Sequence, residues 1–215
     1  MWGFPPLAFR LRYPLEMPSV VRLPAGDQKL VHIVDAAFAD AAQRSGKWLL
    51  CRPGCTQCCI GAFEINQLDA MRLRQGLAEL KKNDPQRAMR VQVRARESVK
   101  RLRQEFPGDA LTGVLGEDED AQAAFEDFAN DEPCPALDPT SGTCDLYAHR
   151  PMTCRVFGPP IRSEGGLGVC ELCFQGASSE EIAACEMQVD PDGLEAKLLG
   201  EQDDQSKTIV AFCLR

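Results

Sequence analysis

The residues of this chain that could do chemistry are its eleven cysteines, an unusually large number for 215 residues. Seven of them fall into three segments: Cys51-x3-Cys55-x2-Cys58-Cys59, Pro133-Cys134-Pro135 and Cys144-x9-Cys154-Arg155. A short loop with cysteines three and two residues apart can point several sulfur atoms at one centre, and distant cysteines complete the shell once the chain folds back. Thiolates are soft ligands, so the spacing predicts a site for zinc or an iron–sulfur cluster rather than for magnesium or calcium.

Arginines beside these cysteines could stabilise such a site. Four thiolates around one Zn²⁺ leave a net negative charge, and a buried site of that kind needs backbone N–H donors or cations nearby. Arg52, Arg150 and Arg155 are close to the cysteines in sequence. The same arginines could equally form ordinary surface ion pairs, so both roles are open at this point.

The order of these motifs resembles that of a known family. Cys51-x3-Cys55-x2-Cys58-Cys59 is followed by Cys134-Pro135-x-Leu137 and then by Cys144-x2-Tyr147-x2-Arg150-Pro151-x2-Cys154-Arg155. Over about residues 51–157 the pattern is similar to that of the YkgJ-like cysteine-cluster proteins, the zinc- or iron-chelating CxxCxxCC domain family. The two halves occur in the family's order and carry its non-cysteine markers, which are Tyr147, Arg150, Pro151 and Arg155.

The resemblance implies metal chelation by seven cysteines, with Tyr147, Arg150 and Arg155 surrounding the ligands. The implied ligands are Cys51, Cys55, Cys58, Cys59, Cys134, Cys144 and Cys154. Seven thiols exceed one tetrahedral site, so either some of them support the ligands or more than one metal is bound. The flagellin lysine N-methylase, a remote relative of the family, carries a similar cysteine set and uses S-adenosylmethionine. It implies an alternative, an iron–sulfur-dependent protein methylase, and leaves open whether the chain is an enzyme.

Two other interpretations of the cysteines deserve comparison. The spacing of Cys51, Cys55 and Cys58 is also that of the radical S-adenosylmethionine cluster loop. Two features argue against that class of enzyme. This chain has Gln57 where that family usually places an aromatic residue, and its helical pattern is not that of a βα barrel. A thiol redox protein is a further alternative. The glycine-rich stretch 165–168 before Cys170-x2-Cys173 indicates a flexible loop rather than the helix start of a thioredoxin-like motif. Because two residues between cysteines is a common ligand spacing, this pair supplies candidates for additional metal ligands.

The remaining cysteines and the two histidines are expected to be structural. Cys185 lies on a predicted helix and Cys213 in an apolar tail, so both are expected to be small buried apolar residues. His32 falls in an apolar helical stretch and is expected in the core or at its boundary. His149 lies inside the Tyr147–Pro151 motif and is a weaker ligand candidate. With only two histidines, a Ser/His/Asp or Cys/His catalytic arrangement has little material.

Composition limits the partners. The chain has 24 Lys and Arg against 32 Asp and Glu, a net charge of −8, which argues against dedicated binding to nucleic acid or anionic membranes. Eleven basic residues lie between Arg72 and Arg103, but the segment between Pro107 and Pro133 has nine acidic residues and no basic ones, so these charges are expected to face each other or to be solvated.

No stretch approaches the roughly 18 apolar residues of a membrane helix, and the opening lacks a signal-peptide pattern. The sequence predicts a cytoplasmic protein whose partner is a metal ion or cluster.

The elements that must position the cysteines are predicted to be helices. Apolar periodicity and capping signals predict three helices. The first runs from Asp27, its expected N-cap, to about Ser45. The second runs from a capping box at Asn66 and Asp69 to about Lys82, and the third from Asp84-Pro85 to Phe106. An acidic helix should follow with Ala121, Ala124, Phe125 and Phe128 facing inward. Further signals predict a capping box at Ser178 and Glu181, a short helix from Asp190-Pro191 to Gly200, and a strand over Thr208–Leu214.

These elements define the predicted fold class. The chain shows neither βαβ alternation nor a glycine-rich phosphate loop, which excludes the common nucleotide-binding architectures. We predict a mainly α fold, with a single helical domain over residues 27–215 whose cysteine-rich irregular loops converge on a metal site. An extended N-terminal arm over residues 1–26, punctuated by prolines, should precede it.

Overall fold

The structure, a computed structural model, describes residues 22–163 and 165–215 and is mainly α-helical. Most of the predicted N-terminal arm, residues 1–21, lies outside the described residues. The helices are α1 Asp27–Ser45, α2 Gln67–Asn83, α3 Pro85–Leu102, α4 Glu119–Glu126, α5 Met152–Val156, α6 Ser179–Ala184, α7 Leu194–Gly200 and α8 Val210–Leu214.

The strands in the described residues are short and form antiparallel pairs. They are β1 Glu64–Ile65 with β8 Thr208–Ile209, β2 Gly108–Asp109 with β3 Val114–Leu115, β4 Leu137–Asp138 with β5 Thr143–Cys144, and β6 Ile161–Ser163 with β7 Gly166–Gly168. In the first pair, Glu64 lies opposite Ile209 and Ile65 opposite Thr208. Antiparallel pairs of this kind do not build the parallel barrel of radical S-adenosylmethionine enzymes.

Capping residues begin the helices largely where the sequence predicts. The Asn66 side chain accepts a hydrogen bond from the Asp69 amide at 2.9 Å, and the Asp84 side chain accepts one from the Arg87 amide at 2.9 Å. Each cap satisfies an amide that has no partner within its helix. The full capping box at Ser178 and Glu181 is confirmed. At Asn66 only half of the predicted box forms, because the Asp69 carboxylate bonds instead to Arg72 and to the Met152 amide.

Other predicted helix ends are wrong. Gly26, not Asp27, is the N-cap of α1, and α3 ends at Leu102 rather than Phe106. Helix α7 begins at Leu194, because Asp190 is a loop residue whose carboxylate accepts a hydrogen bond from the Glu195 amide at 2.8 Å.

The largest apolar cluster lies between α2, α3 and α8. Leu73, Val91 and Leu214, one from each helix, are at most 1% exposed and belong to this cluster. The predicted strand over Thr208–Leu214 is therefore wrong beyond Ile209. The residues after Ile209 form a buried helix, because packing against two helices outweighs the strand preference of a short apolar run.

Two further clusters extend the core. Helix α1 packs through Leu30 and Val34 against Met152 of α5 and Leu198 of α7. Phe106 and Phe212 have ring centroids 4.4 Å apart, in a cluster that also contains Phe128. Of the residues predicted to face inward near α4, Phe128 is buried and Ala121 and Phe125 are half-buried, but Ala124 is exposed because α4 lies at the surface.

The basic helix α3 pairs with carboxylates outside α4. Arg101 lies 2.6 Å from Glu132, and Arg94 lies 2.6 Å from Asp145, which also pairs with Arg87. Asp145 is next to Cys144, so these arginines tie α3 to a cysteine-bearing loop. Among the described residues, no helix has both the length and the apolar character needed to cross a membrane.

Candidate metal centre

The first cysteine-bearing segment is a loop between α1 and β1. A turn closes it where the Cys55 amide donates to the Arg52 carbonyl at 2.9 Å, and Gly54 within that turn has a positive φ of 90°. A single 3₁₀ turn, Gln57–Cys59, follows. The proline and glycine signals of the sequence thus mark the sharp turn in the loop that carries these four cysteines.

The second segment lies alongside the first. Ile60 and Pro133 form an antiparallel bridge, and the Cys134 amide donates to the Cys59 carbonyl at 2.7 Å. The β4–β5 hairpin follows, in which Cys144 lies opposite Leu137. Backbone pairing therefore brings Cys134 and Cys144 next to the loop that carries Cys58 and Cys59.

Cys154 reaches the same region on the short helix α5. A buried carboxylate fixes the start of that helix, since Asp69 of α2 accepts a hydrogen bond from the Met152 amide at 2.9 Å. Asp69 also lies 2.5 Å from Arg72, whose guanidinium is 2.5 Å from Asp27 of α1. This ion-pair network, almost fully buried, holds α1, α2 and α5 together behind Cys154.

Arg155 and Arg150 surround the cysteines from the other side. The Arg155 side chain is 2% exposed, donates to both carboxylate oxygens of Asp35 at 2.9 Å, and donates to the carbonyls of Ala148 and Arg150. The Arg150 guanidinium lies over the Tyr147 ring, 4.0 Å from its centroid. These contacts fix the loop between β5 and α5.

All seven cysteines implied by the family pattern line one cavity of about 410 Å³. Cys170 lines it too, as do the three predicted surrounding residues Tyr147, Arg150 and Arg155. Cys173 is buried outside the lining, and its sulfur accepts a hydrogen bond from the Leu50 amide at 3.4 Å. All eleven cysteines of the chain are free thiols.

The acidities of the cavity thiols differ with their neighbours. Burial raises the pKa of Cys134 to about 12, with the Cys144 and Cys58 thiols adding to the effect. Burial, together with the Cys173 and Cys55 thiols, raises the pKa of Cys51 to about 12. Burial also raises the pKa of Cys144 and of Cys154. Each thiolate in such a group would repel the next, so several can ionise together only beside a cation.

Cys58 is the exception. A hydrogen bond with the Cys59 thiol lowers the pKa of Cys58 to about 7, and the nearby Arg150 guanidinium contributes to the lowering. The same hydrogen bond is the main cause that raises the pKa of Cys59. Of this adjacent pair, Cys58 therefore ionises first.

The donor set fits a soft metal by its chemistry. Of the described residues, eight thiols and no carboxylate or imidazole line the cavity, and thiolate is the preferred ligand of zinc and of iron–sulfur clusters. Among the described residues, no three Cys, His, Asp or Glu side chains are arranged closely enough to hold an ion. The cysteines therefore share a cavity but not a formed coordination polyhedron.

The other candidate residues lie elsewhere. Cys185 and Cys213 are buried in apolar clusters, as predicted. His149 is not among the cavity residues, and its ring nitrogen pairs with Glu79 at 3.0 Å. His32 is exposed, contrary to the expectation of a core or boundary position, because it falls on the solvent side of α1.

Sequence reasoning missed the carboxylates that position the site. Asp35 fixes Arg155, Asp69 fixes the start of α5, and Asp145 fixes the loop after β5. Sequence patterns did not indicate these roles, because the partner of each carboxylate is distant in sequence. Sequence reasoning also missed Gly158, where an added Cβ would lie 2.5 Å from the Cys51 sulfur. The Gly158-Pro159-Pro160 run was a signal of a tight approach that the sequence did contain.

A helical scaffold with cysteine-rich loops around one cavity defines a cysteine-cluster protein. The model of one family, described as "CxxCxxCC: Putative zinc- or iron-chelating domain", matches residues 50–173. The match covers more than half of the chain, so the chain belongs to this family, in agreement with the YkgJ-like pattern of its motifs. The matched residues include Cys170 and Cys173. No curated protein and no solved structure matches the chain.

Proposed function

We propose that this protein binds zinc or an iron–sulfur cluster through cysteine thiolates in the cavity. One observation carries the proposal: eight cysteines from four separate stretches of chain line the same cavity of about 410 Å³. The family's description as a chelating domain supports it. Cys55 and Cys58 lie at the centre of the first loop and are the ligands on which the proposal depends most directly.

The metal would supply what the loops lack in apolar contacts. The segments around Cys55 and Cys144 have few buried side chains and no long secondary structure, so they cannot be held by core packing alone. Metal–thiolate bonds join distant segments directly, and in structural zinc modules the binding energy is folding energy. Removing the metal should therefore loosen these loops more than α2 and α3.

Elemental analysis of anaerobically purified protein, with a visible spectrum of the same sample, tests the proposal. A brown sample that contains iron and sulfide indicates an iron–sulfur cluster, whereas a colourless sample that contains zinc indicates a zinc site. Cys55→Ser and Cys58→Ser should each lower both the bound metal and the stability. Cys213→Ser is the matched control, since its thiol is buried outside the cavity.

Other outcomes would point to the alternatives. A metal-free sample whose cavity thiols form disulfides reversibly would contradict the proposal and favour a thiol redox protein. Unchanged metal content in both the Cys55 and Cys58 variants would exclude these residues as ligands. Binding of S-adenosylmethionine to an iron-containing sample would favour the methylase alternative.

A further inference from the structure

Cys51, Cys170 and Cys173 share one packing environment. They lie in an apolar cluster with Leu49 and Phe174. Backbone contacts hold this environment together: the Phe174 amide donates to the Trp48 carbonyl at 2.9 Å, and the Cys170 amide donates to the Gly158 carbonyl at 3.4 Å.

Direct contacts to sulfur join the same residues. The Leu50 amide donates to the Cys173 sulfur at 3.4 Å, and the neighbouring Cys51 packs in the same cluster as Cys173, whose thiol raises the pKa of Cys51. Cys170 and Cys173 are connected by a turn in which the Cys173 amide donates to the Cys170 carbonyl at 2.8 Å. Cys55 ends the turn that directly follows Cys51, in which its amide donates to the Arg52 carbonyl at 2.9 Å, and its thiol raises the pKa of Cys51 together with those of Cys173 and Cys170. We call Cys51, Cys55, Cys170 and Cys173 thiol group A.

The other cavity cysteines belong to a different environment. Cys134 and Cys144 pack against the cluster between α2, α3 and α8, which contains no member of group A. The thiols of Cys58, Cys134 and Cys144 raise the pKa of Cys59. The same three thiols raise the pKa of Cys154. We call Cys58, Cys59, Cys134, Cys144 and Cys154 thiol group B.

We infer that the two thiol groups form two separate metal centres, one held by group A and one by group B. The inference rests on the proposed function and divides the first cysteine motif between Cys55 and Cys58. Group A supplies the four thiolates that a closed tetrahedral zinc site needs, in a pairing of Cys-x3-Cys with Cys-x2-Cys. Group B supplies one thiol more than a single ion takes.

The two centres would have different arginines beside them. Group B has Arg150, a cation that acts to lower the pKa of both Cys58 and Cys144. On the side of group A, Arg52 lies between Cys51 and Cys55 in sequence and lines the same cavity. Metal binding would draw the sulfurs of each group together, and a nearby guanidinium would offset part of the negative charge of the thiolates.

Paired substitutions in the full-length chain test the inference. Cys170→Ser with Cys173→Ser removes half of group A, and Cys134→Ser with Cys144→Ser removes two ligands of group B. The matched controls are Cys185→Ser, from the same apolar cluster as group A, and Cys213→Ser, from the cluster beside group B. Zinc and iron are counted per chain after anaerobic purification, and again after incubation with zinc ions and gel filtration.

If there are two centres, each paired variant should lose the metal of its own group and retain that of the other group, because independent sites lose their occupants separately. A chain with both pairs replaced should retain none, and the controls should match the wild type. Complete loss of metal from either paired variant would overturn the inference and leave the proposed function standing. A wild-type chain without metal under both conditions would overturn the proposed function as well.

Alkylation of the wild-type chain gives a second readout if a paired variant does not fold. The metal-loaded protein is treated with increasing chelator and then with iodoacetamide, and modified cysteines are identified by mass spectrometry. Cys51 and Cys55 should lose protection together with Cys170, in a step separate from that of Cys134 and Cys144. Loss of protection by all nine thiols in one step would contradict the division.

Discussion

Arg155 is the buried cation that holds the loop before Cys154, and replacing it by methionine tests whether that loop depends on it. Its guanidinium donates to the Ala148 and Arg150 carbonyls and pairs with Asp35. Asp35 is 45% exposed, so water can replace the Asp35 carboxylate as a partner, and we assign no contribution of this ion pair to the free energy of unfolding. Hydrogen bonds from a charged donor contribute about 1.5–3 kcal/mol each, and the lower value for the two carbonyls gives a loss of about 3 kcal/mol.

Urea unfolding of Arg155→Met, followed by circular dichroism, measures this loss. Arg162→Met is the matched control, because Arg162 is 62% exposed and its pair with Glu186 should change the free energy of unfolding by less than about 0.5 kcal/mol. Since the loop joins Cys144 of β5 to Cys154 of α5, metal affinity should fall by about 10-fold or more, as competition with a chromophoric chelator would show. A stability equal to that of the Arg162 control would refute this account of Arg155.

Three further predictions address packing, charge and pH. Gly76→Ala should destabilise the chain by about 1–3 kcal/mol, since its Cβ would lie 2.6 Å from the His149 ring, and His149→Ala in the same chain should restore most of the loss in thermal unfolding. Asp145→Ala should cost about 2 kcal/mol in urea unfolding, because α3 loses its arginine contacts to the Cys144 loop. Zinc affinity should rise with pH, because the raised pKa of Cys134, about 12, keeps its thiol protonated near neutrality and zinc binding must displace that proton. Calorimetry in buffers of different ionisation enthalpy measures the proton release. In the metal-free chain Cys58, with its pKa lowered to about 7, should be alkylated before Cys134.

Contrary results would be equally specific. A Gly76→Ala chain as stable as the wild type would show that α2 can move away from the loop that carries His149. Equal stability of the Asp145→Ala chain would show that the β5 loop is held by backbone pairing alone. Zinc binding that is independent of pH would mean that the ligands are already ionised, against the raised pKa values of the buried thiols.

The sequence by itself determined the helices and the cysteine-bearing loops. Capping residues such as Asn66 and Asp84 act on amides three residues away, and the apolar stripe of α3 repeats within a few turns, so both signals are local and readable. The family pattern likewise identified seven of the eight cysteines that line the cavity, because it preserves the order of residues along the chain.

Only the tertiary structure decided what lies beside each cysteine. Cys51 and Cys173 pack in one apolar cluster although they are 122 residues apart in the sequence. The Asp69 carboxylate accepts a hydrogen bond from the Met152 amide, 83 residues away. No local sequence pattern records such contacts. The same reason explains why α8 is a helix rather than a strand, since its conformation follows from packing against α2 and α3. Spacing along the chain predicts which residues can share a turn, whereas the grouping of thiols depends on how distant segments pack.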